Sequence, residues 1–398
     1  MEKKNYKSTL HACYLGYITQ ALIVNLPPVL FVVFKDEFGL SNSRLGFLAL
    51  IIFVTQFIVD ALAILFVDKI GQRASAVIAH IFAAVGMIAL AFLSRTMPDP
   101  YIGLVIASVL FAIGGGLIEV LVSPIVESLP GDAKASAMSL LHSFYSWGQV
   151  FVIILSTFAL RLVGQDLWFI LPLLWAVLPI ITLFKFAKVP LVPPEAVGKR
   201  IPLKTLMTSK IFIIALFLMV CSGAAEQTMN QWASLFSEKG LGLSKILGDL
   251  LGPCLFAVMM GIVRTLYGTK GQKINIHKTL MICSVVCIFA FAITALVPIP
   301  AIALIGCSLC GLAVSLMWPG MLSLTASGYP AGGTAMFAIM ALGGDLGCSI
   351  GPWLTGIVAD FSNLNIGLLT GILFPAVMII GLLILKPMMF PKQKLKPQ

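Results

Sequence analysis

The sequence predicts an all-α membrane protein: twelve transmembrane helices arranged as two pseudo-symmetric six-helix bundles. Three observations carry this. Of 398 residues, 59% are hydrophobic and only 11% charged, a composition outside the soluble globular range. Apolar runs of about 20 residues, enough to cross a bilayer as helices, recur with short polar breaks. A Pro- and Lys-rich break, "AKVPLVPPEAVGKRIPLKTLMTSK" (Ala187 to Lys210), falls near the middle of the chain. It divides residues 1–186 from 211–398, with 187–210 as a linker on the cytoplasmic side.

The predicted spans are 10–34, 45–67, 75–94, 101–129, 137–163, 167–186, 211–236, 248–268, 279–298, 300–324, 334–358 and 366–386. The first run has no small-residue cleavage site and is read as a retained span. It carries Gln20 and Asn25; the second carries Asp60. The third is apolar apart from His80, and the fourth holds Glu119 ahead of Pro124. The fifth holds His142, Tyr145 and Gln149, and the sixth is apolar. The seventh, "GAAEQTMNQWASLF" (Gly223 to Phe236), is the most polar, and the eighth carries Arg264 near its inner end. The ninth and twelfth are apolar. The tenth carries "CSLC" (Cys307 to Cys310) and Trp318, and the eleventh carries Asp345 in "GGDLGCSIGP".

Placing the N-terminus inside puts 20 of the 26 Lys and Arg on the cytoplasmic side. The net charge of +10 is thus a topology signal, with both ends cytoplasmic, and not a nucleic-acid footprint. The two halves also repeat. "GLIEVLVSPIVESL" (Gly116 to Leu129) and "GLAVSLMWPGMLSL" (Gly311 to Leu324) share G-L-x3-L-x2-P-x3-S-L, and "GQR" (Gly71 to Arg73) matches "GQK" (Gly271 to Lys273). Such a repeat marks secondary transporters with a site between the halves. Cysteines inside apolar helices act as small apolar residues, so "CSLC" is not expected to hold a metal.

Polar residues avoid spans 6, 9 and 12 and nearly avoid span 3, which suits four helices facing lipid and the others lining a wet cavity. Ionised acids facing lipid cost about 2.5–3.5 kcal/mol each. Asp60, Glu119, Glu226 and Asp345 are therefore expected to face water, ligand or one another. Arg161 and Arg264 lie near the ends of their spans, so no cation is expected at the depth of these acids. A buried carboxyl without a cationic partner can take up a proton on one side and release it on the other. All four are proton-coupling candidates. The competing structural reading is a hydrogen bond to a neighbouring helix, for Glu119 to the carbonyl freed by Pro124. For Asp345 glycine-mediated packing competes, and for Asp60 a place in the cytoplasmic gate.

Glu226, Gln227, Asn230, Gln231 and Trp232 form a stripe suited to hydroxyls and a sugar ring or base. Gln20, Asn25, His142, Tyr145, Gln149 and Trp318 complete the substrate-binding candidates, although a structural hydrogen bond competes at His142 and helix packing at the Trp residues.

The stretch "DKIGQR" (Asp68 to Arg73) after span 2 resembles the major facilitator superfamily motif G-x3-D-[RK]-x-G-[RK]-[RK], with Ile64 and Gln72 departing from it. The resemblance implies a cytoplasmic gate role for Asp68 and Arg73; Glu127 is placed to pair with Arg73. Within the superfamily, "GLIEVLVSPIV", "MSLLHSFYSWG", "GAAEQTMNQW" and "SLMWPGMLSL" resemble the fucose, galactose and glucose proton symporter family. That likeness implies that Glu119 carries the proton. The family's span 1 acid falls on Val24, beside Asn25, and His142 and Tyr145 stand where that family has amides.

The expectation is a proton-coupled importer of a neutral polar solute, foremost a sugar, working by alternating access as a monomer in a bacterial cytoplasmic (inner) membrane. It needs no cofactor beyond the proton gradient and no nucleic-acid partner. A proton-driven exporter of cationic or amphipathic compounds, a nucleoside importer and a non-transporting receptor are the rivals. No nucleophile, base and orienting group suggests an enzyme.

Overall fold

The structure, a computed structural model, describes residues 6–129, 134–192, 203–270, 275–329 and 333–389. All regular structure in them is helical. The first half holds α1 (Lys7–Phe38), α2 (Asn42–Ile70), α3 (Gln72–Thr96), α4 (Pro100–Ser128), α5 (Lys134–Val163) and α6 (Ile170–Lys188). After the short α7 (Leu203–Thr208), the second half holds α8 (Lys210–Leu235), α9 (Lys245–Asp249), α10 (Leu255–Lys270), α11 (Ile276–Leu296), α12 (Pro300–Val314), α13 (Met317–Gly328), α14 (Gly333–Phe361), α15 (Leu364–Leu369) and α16 (Leu373–Met389). The pairs α9–α10, α12–α13 and α15–α16 are single spans with broken backbones, which makes twelve spans.

Proline explains two of the breaks, because its missing N–H and its ring disrupt the preceding turn. Pro253 lies in the π turn Leu250–Cys254 between α9 and α10. Pro319 leaves the carbonyl of Ser315 without its helical donor, at the point where α12 gives way to α13. Several helices begin on a capping side chain. Ser41, Asp99, Ser209, Ser244, Asn275 and Asn363 each accept a bond from a first-turn N–H, worth about 1 kcal/mol apiece. Each predicted span falls on one of these helices. The helices overrun the apolar runs, since backbone bonding continues past the point where side chains turn polar. Of the repeat motifs, "GQK" (271–273) lies outside the described residues, as do residues 193–202 of the linker.

Even span number puts both chain ends on one face, the terminal face; the opposite face is distal. Two buried apolar clusters follow the two halves. One runs from Ala12 to Val189 and takes in Trp232, Leu235 and Phe236. The other runs from Leu206 to Leu385. Every residue from Thr19 to Phe34 of α1 is buried, because that stretch sits between the halves.

In lipid, close packing replaces the hydrophobic drive and small residues set the distance. The α14 glycines show this. A Cβ on Gly347 would lie 1.9 Å from the Val220 carbonyl oxygen, and one on Gly351 2.7 Å from that of Ala224. The α14 helix is therefore held flush against α8. Its other side meets α2, where a Cβ on Gly46 would lie 3.0 Å from the Pro352 carbonyl. By contrast Phe184, Phe289, Ile305 and Ile380 are at least 60% exposed, as a lipid-facing belt requires.

Candidate functional site

Amides tie α1, α5 and α8 together at mid-depth. Gln149 Nε2 donates to Asn230 Oδ1 at 2.6 Å, and Asn230 Nδ2 donates to Asn25 Oδ1 at 3.0 Å and Gln227 Oε1 at 3.1 Å. Gln231 Nε2 donates to Gln227 Oε1 at 3.1 Å and to the Val24 carbonyl at 3.2 Å. All five amides are buried. The predicted substrate-binding amides thus meet across the halves, and in this conformation they bond one another, with Gln149 Oε1 and Gln231 Oε1 left buried without a partner. Trp232 is fully buried, donates to the Pro352 carbonyl at 3.0 Å and packs on Phe31. Its indole serves packing here.

Nearer the terminal face, three acids converge. The carboxylates of Asp60 (α2), Glu119 (α4) and Asp345 (α14) each offer an oxygen within 4.8 Å of the other two. Two come from the first half and one from the second. Gln20 Nε2 donates to Glu119 Oε2 at 3.1 Å, so Glu119 takes its bond from α1 and not through the carbonyl ahead of Pro124. Asp60 belongs to this cluster. Gln20 Oε1 and Gln56 Nε2 are buried without a partner, while the Asp60 and Asp345 carboxyls lie within hydrogen-bonding reach of each other. Unpaired polar atoms at this depth are costly.

Glu226 differs from expectation. Arg264 Nη2 stands 2.7 Å from Glu226 Oε2, and Arg264 Nε donates to the Ser315 carbonyl at 3.2 Å. That carbonyl is the one freed by Pro319. The expectation of no cation at the depth of the acids is therefore wrong. The long Arg side chain starts near the span's end and reaches inward, and position in the sequence shows only where its Cα lies. Tyr145 stands within electrostatic reach of Glu119, Glu226, Arg264 and Cys348, while Trp318 packs against Val24, Phe53 and Cys348. Tyr145 thus neighbours both Glu119 of the triad and the ion pair.

The gate residues are placed only in part. Arg73 donates to the carbonyls of Phe186, Ala187 and Val189 at 2.6–3.0 Å, binding α3 to the end of α6. The side chains of Asp68, Glu127 and His142 lie outside those described. The opposite, distal face is clamped. Asp249 accepts from Ser234 at 2.5 Å, Thr157 at 2.7 Å and Lys245 at 3.0 Å. Lys239 pairs with Asp36 at 2.6 Å, and Asp360 accepts from the backbone N–H groups of Asn42 and Ser43 at 2.8 and 2.7 Å. Gln56, Asp249 and Arg264 are the functional candidates missed from sequence. Gln56 could have been found, since it lies one turn before Asp60 on the same helix face.

All eight cysteines are buried and free. The Cys287 and Cys310 sulfurs approach to 4.0 Å. Cavities of about 510 and 320 Å³ lie beside α6 and beside the distal clamp, where Thr157 and Lys245 line the second; neither is lined by the acids or amides at mid-depth.

The sequence model of the Major Facilitator Superfamily matches residues 13–352. The chain belongs to this superfamily. No relative among curated protein sequences matches the chain. Among solved structures, a D-xylose–proton symporter aligns at 17% identity over 98% of this chain and 99% of that one, with a TM-score of 0.74. The E. coli fucose:proton symporter aligns at 16% over 96% and 99%, with a TM-score of 0.67. A nucleoside transporter aligns at 15% over 96% and 100%, with a TM-score of 0.74. At these identities the likeness shows the fold alone: the major facilitator arrangement of two six-helix bundles. A superfamily member of this kind is a transporter and not an enzyme.

Proposed function

We propose that this superfamily member is a proton-coupled symporter of a neutral polar solute, foremost a sugar, in a bacterial cytoplasmic membrane with the terminal face inside. The observation that carries it is the pairing of a carboxyl cluster with a neutral polar wall between the two halves. Glu119, bonded to Gln20, exchanges the proton. Tyr145, Trp318 and the α8 amides bind the solute once the halves part. The ion pair Glu226–Arg264 has no net charge and presents an acceptor beside a donor, which matches neighbouring hydroxyls of a sugar. The titles of the xylose and fucose symporters support the same reading. In the conformation described, clamps on the distal face hold that side shut, and alternating access is the exchange of these clamps for contacts at the terminal face.

The test is uptake into proteoliposomes under an imposed pH gradient, with a panel of neutral sugars and nucleosides. Glu119→Gln is expected to bind solute with near wild-type affinity while losing gradient-driven uptake by about 100-fold. Uptake of cations alone, abolished in that variant, would replace the reading with an exporter of cationic compounds.

A further inference from the structure

The cavity of about 510 Å³ lies at the terminal face, between the start of α1 and the end of α6, where Ser8, Ile181, Phe184, Lys185, Lys188 and Pro190 line it. Its size falls in the range of about 300–1,000 Å³ typical of small-molecule sites. Ile181, Phe184, Lys185 and Lys188 recur at i, i+3, i+4 and i+7, so they share one face of α6. That face changes character over about 10 Å of helix. Ile181 and Phe184, 47% and 60% exposed, form an apolar floor toward the bilayer, and the two exposed lysines stand at the terminal end. Their long stems can cover apolar surface while the charge reaches the interface.

The charges at this place call for an anion. Lys239 and Lys245, at the distal face, are each paired with a carboxylate, Asp36 and Asp249. Among the described residues Lys185 and Lys188 have no such partner. The free carbonyls at a helix C-terminus carry partial negative charge, which would repel an anion. Here they are occupied. Arg73 donates to the carbonyls of Phe186, Ala187 and Val189, and Thr9 Oγ1 donates to that of Pro190 at 2.7 Å. The end of α6 thus has its acceptors covered and holds three cations.

We propose that this crevice binds one anionic phospholipid from the leaflet at the terminal face. Lys185 and Lys188 take the headgroup phosphate, and an acyl chain runs along Ile181 and Phe184. The charged and apolar parts occur in the order in which a lipid presents them, and a free phosphate would have no use for the apolar floor. Basic pockets beside membrane spans recognise such headgroups by charge. The bound lipid bridges α1 and α6 beside Pro190, where the chain leaves the first half for the linker. The crevice is separate from the acids and amides at mid-depth, so the lipid is a partner of the fold and not a cargo.

The experiment uses purified full-length protein, delipidated in an uncharged detergent at constant pH and ionic strength, and titrated with phosphatidylglycerol, phosphatidylcholine or glycerol 3-phosphate. Phosphatidylglycerol is expected to raise Tm saturably by about 4 °C, and the other two by less than about 1 °C. Lys185→Gln together with Lys188→Gln is expected to raise the half-saturating lipid concentration by about tenfold or more. Lys278→Gln with Lys386→Gln removes two exposed lysines of the second half and is expected to leave the titration unchanged. Equal responses to the two lipids would overturn the site, as would an unchanged titration in the first double variant or an equal loss in the second. A full response to glycerol 3-phosphate would make the occupant a free phosphate anion and overturn the lipid. Native mass spectrometry gives a reading independent of Tm. A phosphatidylglycerol retained by wild type and lost from the Lys185, Lys188 variant supports the site, and equal retention overturns it.

Discussion

Glu226 and Arg264 show how much a single side chain's reach changes the reading of a site. Their Cα positions are 38 residues apart on different spans, yet the charges meet at 2.7 Å with side-chain exposures of 8% and 16%. Removing one partner strands the other in a poorly solvated place. Arg264→Met is therefore expected to cost about 3 kcal/mol, seen as a fall in Tm, and Glu226→Gln in the same chain is expected to restore most of it. A single variant as stable as wild type would mean that Glu226 is solvated well enough to stand alone. The amides behave differently. Gln227 and Asn230 already bond each other and their neighbours, so losing one amide disturbs a network rather than a lone contact.

At the level of the element, α14 is the helix on which both halves depend. Gly347 allows its backbone to lie against α8, and Gly46 of α2 lets its other side approach the first half. Gly347→Ala places a methyl against the Val220 backbone, which cannot swing aside, and is expected to cost about 1–3 kcal/mol. Gly328→Ala is the control. Its Cβ meets only the flexible end of Met389, at 2.8 Å, and it is expected to leave Tm within about 1 °C of wild type. Equal Tm losses in the two variants would show that the close contact between α14 and α8 has no special role. The break in α12–α13 follows the same logic of local cause and distant use: Pro319 frees a carbonyl, and Arg264 binds it.

For the whole molecule, the distal clamps decide which side is shut. Asp249→Asn together with Asp36→Asn is expected to open that face, lengthening the distance between spin labels at positions 96 and 299, measured by double electron–electron resonance. An unchanged distance distribution would show that apolar packing alone holds the face closed. Asp360 adds a pH dependence. It lies beyond the predicted span 334–358. Burial raises its carboxyl, but bonds from Ser43 and Asn42 outweigh this and leave it below the ordinary carboxylate value. A lowered folded value means that the ionised form is favoured when the face is closed. Its contribution is present above the ordinary carboxylate range and is lost as pH falls through the lowered value. The same label pair is expected to show an acid-induced opening step that Asp360→Asn lacks; an identical pH profile in both proteins would remove Asp360 from the latch.

What the sequence by itself determined is the part governed by solvent and local backbone. Lipid admits only apolar spans, so the twelve helices were legible from hydropathy, and the excess of Lys and Arg at one face gave an expected orientation. Proline accounts for two of the three breaks in the spans, at Pro253 and Pro319. The acids at Asp60, Glu119 and Asp345 were also legible as a group, because ionisable residues at that depth need a reason to be there. Tertiary structure alone decided which polar groups meet. The triad unites α2, α4 and α14 across 285 positions of sequence, and no periodicity within one helix encodes a contact between helices. The same holds for Arg264, whose flexible side chain spans the distance that its sequence position hides, and for Asp249, a clamp built from three helices. Hydropathy records what each helix avoids, while the choice of partner depends on the packing of the halves.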